Sequence, residues 1–114
     1  MLEDDQIAVC RRYGATFQAA DAAMIAGMSR NLRSGDLPIH GLRHLAEANT
    51  SGWFLWAGEY SEADDFFEPV HIGHLSEFCP TVLCYLGLSP GWRFLLAENY
   101  ADVWFDVKLL GTGR

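Results

Sequence analysis

The stretch from Thr50 to Phe67, TSGWFLWAGEYSEADDFF, constrains the fold of this chain more than any other. It opens on Ser51-Gly52, runs through Trp53, Phe54, Leu55, Trp56 and Ala57, and breaks at Gly58 into a loop carrying Glu59, Tyr60, Glu62, Asp64, Asp65, Phe66 and Phe67. An apolar run this short, rich in aromatics and bounded by glycine, predicts a buried strand rather than a helix. Gly52 fits a sharp turn into that strand and Gly58 the turn out of it. The acidic, aromatic loop that follows is the first candidate for a working surface.

Charge placement sharpens that reading. The net charge of −7 is concentrated between His44 and Trp92, where seven acids (Glu47, Glu59, Glu62, Asp64, Asp65, Glu68, Glu77) meet no Lys or Arg. Elsewhere eight acids face eight bases. Such a block repels phosphate and argues against a nucleic-acid partner. It suits a basic protein surface, because complementary fields speed encounter and fix register. The plain alternative is a set of solvated loop acids that serve solubility. Tyr60, Phe66 and Phe67, mixed with those acids, have the composition of an interface anchor with a polar rim. They would equally serve as a lid folded back over the sheet.

The rest of the chain frames the strand. With 114 residues, half of them hydrophobic, one folded domain is expected. No run is long and apolar enough for a membrane span. The acidic start, Met1 to Gln6, has the wrong charge for a leader. Three cysteines, Cys10, Cys79 and Cys84, make no paired framework, so a reducing, cytoplasmic setting is expected. After a frayed acidic end, Phe17, Ala20, Met24, Ile25 and Met28 recur at helical spacing with added alanines. This predicts an N-terminal helical segment within residues 1–35, ending near Ser34-Gly35. Over Pro38 to Asn49, Leu42, Leu45 and Ala46 allow a helical turn, while Ile39, Leu42 and His44 also suit an extended entry to the Trp53 strand, which is the preferred reading. Ile72, Leu75, Cys79, Val82 and Leu86 predict two short helices divided at Pro80. Trp92–Ala97 and Asp102–Leu110 predict a hairpin with a four-residue loop. On its second strand Val103, Phe105 and Val107 point one way, and Trp104 and Asp106 the other. Residues 111–114 read as a flexible tail. The elements add up to a single small α+β domain, an antiparallel sheet with helices packed on one side.

No catalytic constellation emerges. There is no Ser-His-Asp order, nucleophile elbow, phosphate loop or dinucleotide fingerprint. The carboxylate pairs (Asp64 with Asp65, Glu59 with Glu62, Asp102 with Asp106) show no pocket to shift a pKa. Asp102 and Asp106 share one strand face by parity and extend the candidate acidic surface. His71, His74, Cys79 and Cys84 have zinc-ligand atoms, but their spacing matches no standard zinc pattern. The expectation is a non-enzyme without cofactor or metal.

Three pieces in order carry a family resemblance: Ser51-Gly52-Trp53 with Gly58-Glu59, then YLGLSPGWRF from Tyr85 to Phe94, then YADVWFD from Tyr100 to Asp106. The chain resembles the Imm33-like immunity proteins of bacterial polymorphic toxin systems. The likeness covers roughly residues 50–110 and leaves out the N-terminal segment. Ser89 stands where the family pattern has Pro, and the aromatic stretch after Glu59 is an insertion. What the resemblance implies is a small α+β domain that neutralises a cognate toxin by occlusion, without catalytic residues. Its motif residues Ser51, Gly52, Trp53, Gly58, Gly91 and Trp104 are expected to be structural. The binding surface expected from the residues themselves is Glu59, Tyr60, Glu62, Asp64, Asp65, Phe66, Phe67 and Glu68, extended by Asp102 and Asp106. The alternative is a regulatory module that forms a homodimer through the N-terminal Met-containing helix.

Overall fold

A computed structural model describes residues 2–111. The first helix, α1 (Leu2–Tyr13), carries Glu3, Asp4 and Asp5 in its first turn and Arg11 and Arg12 in its last. Those charges oppose the partial charges of the helix ends. Gln6, Val9, Cys10 and Tyr13 lie on one stripe and are buried or half-buried, with Cys10 in the core. Gly14, at φ 78, ends the helix in a left-handed conformation.

Helix and acidic end therefore trade places with the sequence expectation. Residues 2–13 are ordered helix, and no helix covers Phe17–Met28. There the chain runs irregularly, with Phe17 bridged to Leu88, and then forms strand β1 (Ile25–Ser29). In β1, Ala26 and Met28 alternate into the core while Ile25 and Gly27 do not. Burial between two neighbouring strands outweighs alanine's helical preference, which is worth only tenths of a kcal/mol per residue (roughly 0–0.7). The Met-containing helix suggested as a dimer contact does not exist, and Met28 is core.

The remaining strands are β2 (Ile39–Arg43), β3 (Thr50–Ala57), β4 (Phe67–His71), β5 (Trp92–Ala97) and β6 (Tyr100–Phe105). They form one six-stranded sheet in the order β4-β1-β3-β2-β5-β6. All neighbours are antiparallel except β1 and β3, which run parallel, so the sheet is mixed rather than wholly antiparallel. The class is α+β, as expected. No helix among the described residues is long and apolar enough to cross a membrane.

One sheet face is the core. Trp53, Leu55 and Ala57 of β3 lie on it with Ile39, Met28, Phe94 and Leu96. Short helical turns cover this face: Ile72–His74 leading into α2 (Leu75–Phe78), then the 3-10 turn Pro80–Tyr85, with α1 packed behind. Pro80 opens its turn where a missing N–H costs nothing, which divides the two helical pieces as expected. Leu75, Val82, Leu86 and Leu88 seal the core from that side. Each such side chain contributes about 1.5–3 kcal/mol on burial.

The C-terminal hairpin is tighter than expected. Ala97 pairs with Tyr100, which leaves a two-residue turn at Glu98–Asn99. Asn99 takes φ 60, a left-handed conformation its short polar side chain tolerates. The second strand ends at Phe105, because the Asp106 side chain accepts from the Lys108 N–H and caps a 3-10 turn over Val107–Leu110. Val107 is thus not a strand residue. Gly111 donates to the Lys108 carbonyl, and residues 112–114 of the expected tail lie outside the described residues.

Candidate partner-binding face

The sheet face opposite the core carries an aromatic layer. Phe54 and Trp56, the even-numbered residues of β3, point away from Trp53 and Leu55. The His40 ring on β2 stacks on Trp56 at 4.8 Å and 12°. Phe67, the first residue of β4, meets Phe54 at 5.1 Å and Trp56 at 6.0 Å, both edge-on. Edge-to-face pairs of this kind add about 0.5–1.5 kcal/mol each beyond area burial.

The loop after β3 continues that layer. Gly58, at φ 71, turns the chain out, and its N–H donates to the Pro38 carbonyl (2.8 Å). Asn31 Nδ2 donates to the Ala57 carbonyl (2.8 Å) and fixes the exit point. The Phe66 N–H donates to the Ala63 carbonyl (3.0 Å), closing a turn that brings the loop back. Phe66 then lies 4.9 Å from Phe67 and 5.6 Å from Tyr60, and Tyr60 sits 5.5 Å from Trp56. Phe66 and Phe67 are half-buried in this cluster, and Tyr60 at its outer end is 57% exposed.

Around the cluster the acids divide into two groups. Glu59, Glu62, Asp64 and Asp65 are exposed along the loop. Glu68 is ion-paired to Arg30. Beside the loop the same face opens into a cleft of about 560 Å³. Gly27, Phe54, Phe67, Pro69, His44 and Leu45 are among the residues that line it. A side chain at Gly27 would put its Cβ 2.7 Å from the Phe54 ring, so glycine lets that ring approach β1 closely.

Asp102 and Asp106 are not brought to the loop. Asp102 is exposed on β6, three strands from β3, a spacing of roughly 14 Å. Asp106 is taken up by Arg93 (Nη1 to Oδ2, 3.0 Å) and by its cap. The Arg93 hydrogen bond chiefly, with the Lys108 N–H, holds its carboxyl below the usual range.

Ser51, Gly52, Trp53 and Gly91 of the motif meet at a buried arginine, Arg43, which was not among the expected site residues. Arg43 is 1% exposed. Its Nε donates to the Ser51 carbonyl (2.9 Å), and Nη1 donates to the carbonyls of Gln18 (2.7 Å) and Leu88 (2.8 Å). Its guanidinium lies 5.6 Å from the Trp53 ring, whose Nε1 donates to the Leu86 carbonyl (3.0 Å). Gly52 has φ 89, and a Cβ there would meet the His44 carbonyl oxygen at 2.0 Å. Gly91, at φ 99, donates to the Arg43 carbonyl and accepts from the Asp106 N–H. Trp104 lies under the Arg93 guanidinium at 5.5 Å. His71 and His74 are exposed neighbours at 5.6 Å, while Cys79 is buried in the core and Cys84 half-buried. Among the described residues no three His, Cys, Asp or Glu side chains gather as a metal site requires.

His40, Phe54 and the cleft were not among the expected site residues. The signal was present: a strand apolar at every position from Trp53 to Ala57 has both faces covered, so Phe54 and Trp56 must meet something other than the core. The model of the Imm33-like domain family matches residues 5–106. The matched span takes in the N-terminal segment that the motif resemblance left out. No curated protein and no solved structure matches the chain.

Proposed function

Because the chain belongs to the Imm33-like domain family, we propose that it is an immunity protein that binds a cognate bacterial toxin and neutralises it by occlusion, in the cytoplasm of the cell that carries it. The contact surface is the acidic-aromatic loop and the layer it leans on, from Glu59 to Glu68. The observation that carries this reading is the mixed character of that loop. Tyr60, Phe66 and Phe67 form one ring cluster, and Glu59, Glu62, Asp64 and Asp65 are exposed around it. Clustered aromatics supply the desolvated centre of an interface, and a rim of acids steers a basic partner surface. Asp102 and Asp106 lie at the far edge of the same face and would be reached only by a large partner. The role is non-catalytic and needs no cofactor.

Affinity capture with the full chain from a lysate of the native organism tests the reading, with bound protein identified by mass spectrometry. The expected result is one stoichiometric partner whose expression alone arrests growth and whose co-expression with this chain does not. A captured partner that is harmless by itself, or whose toxicity this chain leaves unchanged, overturns the proposal.

A further inference from the structure

The two edges of the sheet are unlike. β4 carries Pro69, which removes one backbone donor, and its Glu68 pairs with Arg30. Proline and charge of this kind discourage further strand pairing. β6 has neither proline nor lysine, and it pairs with β5 through six consecutive residues without a bulge. After Phe105 the chain turns back towards β2, where the Leu109 carbonyl lies 3.4 Å from His44 Nδ1, so it does not cover the edge. Tyr100 (57% exposed), Phe105 (48%) and Val107 (66%) are large apolar side chains left open along or just beyond this strand.

The direction of the free backbone groups follows from the ladder. His44 donates to the Gly52 carbonyl and Gly58 to the Pro38 carbonyl, so the even-numbered residues of β2 bond to β3. Hydrogen-bonded and non-bonded pairs alternate in antiparallel sheets. The odd residues of β2 therefore bond to Leu96 and Phe94, and the odd residues of β5 bond to Tyr100, Asp102 and Trp104. That leaves the N–H and C=O groups of Ala101, Val103 and Phe105 directed outward.

We infer that this edge pairs antiparallel with β6 of a second copy of the chain, across a two-fold axis at Val103. Outward groups face outward groups only when odd residues pair with odd, and charge then selects among the registers. Centred on Val103, the pairing sets Ala101 opposite Phe105, Asp102 opposite Trp104 and Tyr100 opposite Asp106. Moving the axis to Asp102 sets Asp102 against itself, and moving it to Trp104 sets Asp102 against Asp106. Both place like charges directly opposite, which disfavours them. The selected register covers Phe105 and continues the core face through the axis, giving a twelve-stranded sheet with both aromatic faces on one side.

Sedimentation equilibrium of the full chain across a concentration series, with amide exchange read at each end, tests the pairing. The expected result is a two-chain mass at high concentration, with the Ala101, Val103 and Phe105 amides protected only there. The amides of Tyr100, Asp102 and Trp104 are expected to be protected throughout. Ala101→Pro removes an outward donor and no internal hydrogen bond, so it should give the one-chain mass at every concentration, with a thermal transition equal to that of the unmodified chain at low concentration. A one-chain mass at every concentration overturns the inference and leaves the edge to a strand of another protein. A two-chain mass with fast exchange at Ala101, Val103 and Phe105, or unaffected by Ala101→Pro, also overturns it.

Discussion

Arg43 shows how much one side chain can hold together. Burial pushes its guanidinium down to about 10, still charged at neutral pH, and among the described residues no carboxylate pairs with it. Its charge is compensated by main-chain carbonyls contributed from three separated segments, around Gln18, Ser51 and Leu88. Hydrogen bonds to a charged group contribute roughly 1.5–3 kcal/mol each, which offsets a desolvation cost of several kcal/mol. Arg43→Met removes the donors and leaves those carbonyls buried, so urea denaturation should show a loss of about 3–5 kcal/mol. Arg43→Lys keeps the charge but lacks the planar fork that spans the acceptors, and should fall between the two. His40 makes a pH prediction. Burial, then the Arg93 charge, depress its imidazole below the ordinary 6.5, against a hydrogen bond with the Gly58 backbone that raises it. A base with a depressed folded pKa takes up fewer protons folded than unfolded, so stability present above the ordinary value is lost as pH falls through it. Urea midpoints measured on either side of that range should converge in His40→Gln relative to the unmodified chain. An unchanged pH difference in the variant would place the titration elsewhere.

At the level of elements, α1 is part of the core cover rather than an appendage. Cys10 is buried with its Sγ 3.4 Å from the Gly87 carbonyl, and Gln6 Nε2 donates to the Leu83 carbonyl (2.9 Å). Deleting residues 1–13 uncovers the Pro80–Tyr85 turn and is expected to lower the midpoint of thermal unfolding by about 10 °C or more, since about 1 kcal/mol shifts a domain this small by 4–8 °C. The same deletion should leave the number of chains per particle unchanged, because the pairing edge is β6. Sedimentation of the truncated chain separates the two effects. The segment that leaves α1 shows why helical spacing alone does not make a helix. Phe17, Ala20 and Met24 are half-buried at helical spacing, yet each packs on the core from an irregular path tied down at Gln18 and Met24 by backbone hydrogen bonds. Spacing of buried residues identifies which positions face inward, and only the neighbours decide the backbone that gets them there.

For the whole molecule, charge and layering point the same way. The seven acids between His44 and Trp92 fall mostly on or beside the aromatic face, and they outnumber the bases near it, Arg30 paired to Glu68 and Arg93 beside His40. An asymmetric field of this kind accelerates encounter with a basic partner and is screened over about 8–10 Å at physiological salt. Replacing Glu62, Asp64 and Asp65 together by Ala should slow association with the proposed toxin partner and flatten its salt dependence, with little effect on dissociation. Stopped-flow association rates over a salt series check this, and an unmodified rate in the triple variant would remove the loop from the encounter surface. Thermal stability should hardly change, since the three carboxylates are exposed.

What the sequence determined by itself was local. The Trp53 strand, the break at Gly58, the division at Pro80 and the hairpin near Asn99 were each written in short-range chemistry: apolar runs, glycine freedom, a missing donor, a turn. The acidic stretch was likewise legible from charge order alone. The tertiary structure decided what lies far apart in the chain. It placed β1 between β3 and β4, where pairing on both sides turned a helical pattern into a strand. It buried Arg43 beneath carbonyls up to 45 residues away. It also folded Phe66 and Phe67 back on Phe54 and Trp56 while leaving Asp102 three strands distant. Local propensities amount to tenths of a kcal/mol per residue, whereas burying one large side chain contributes about 1.5–3 kcal/mol, so long-range packing settles whatever local chemistry leaves open.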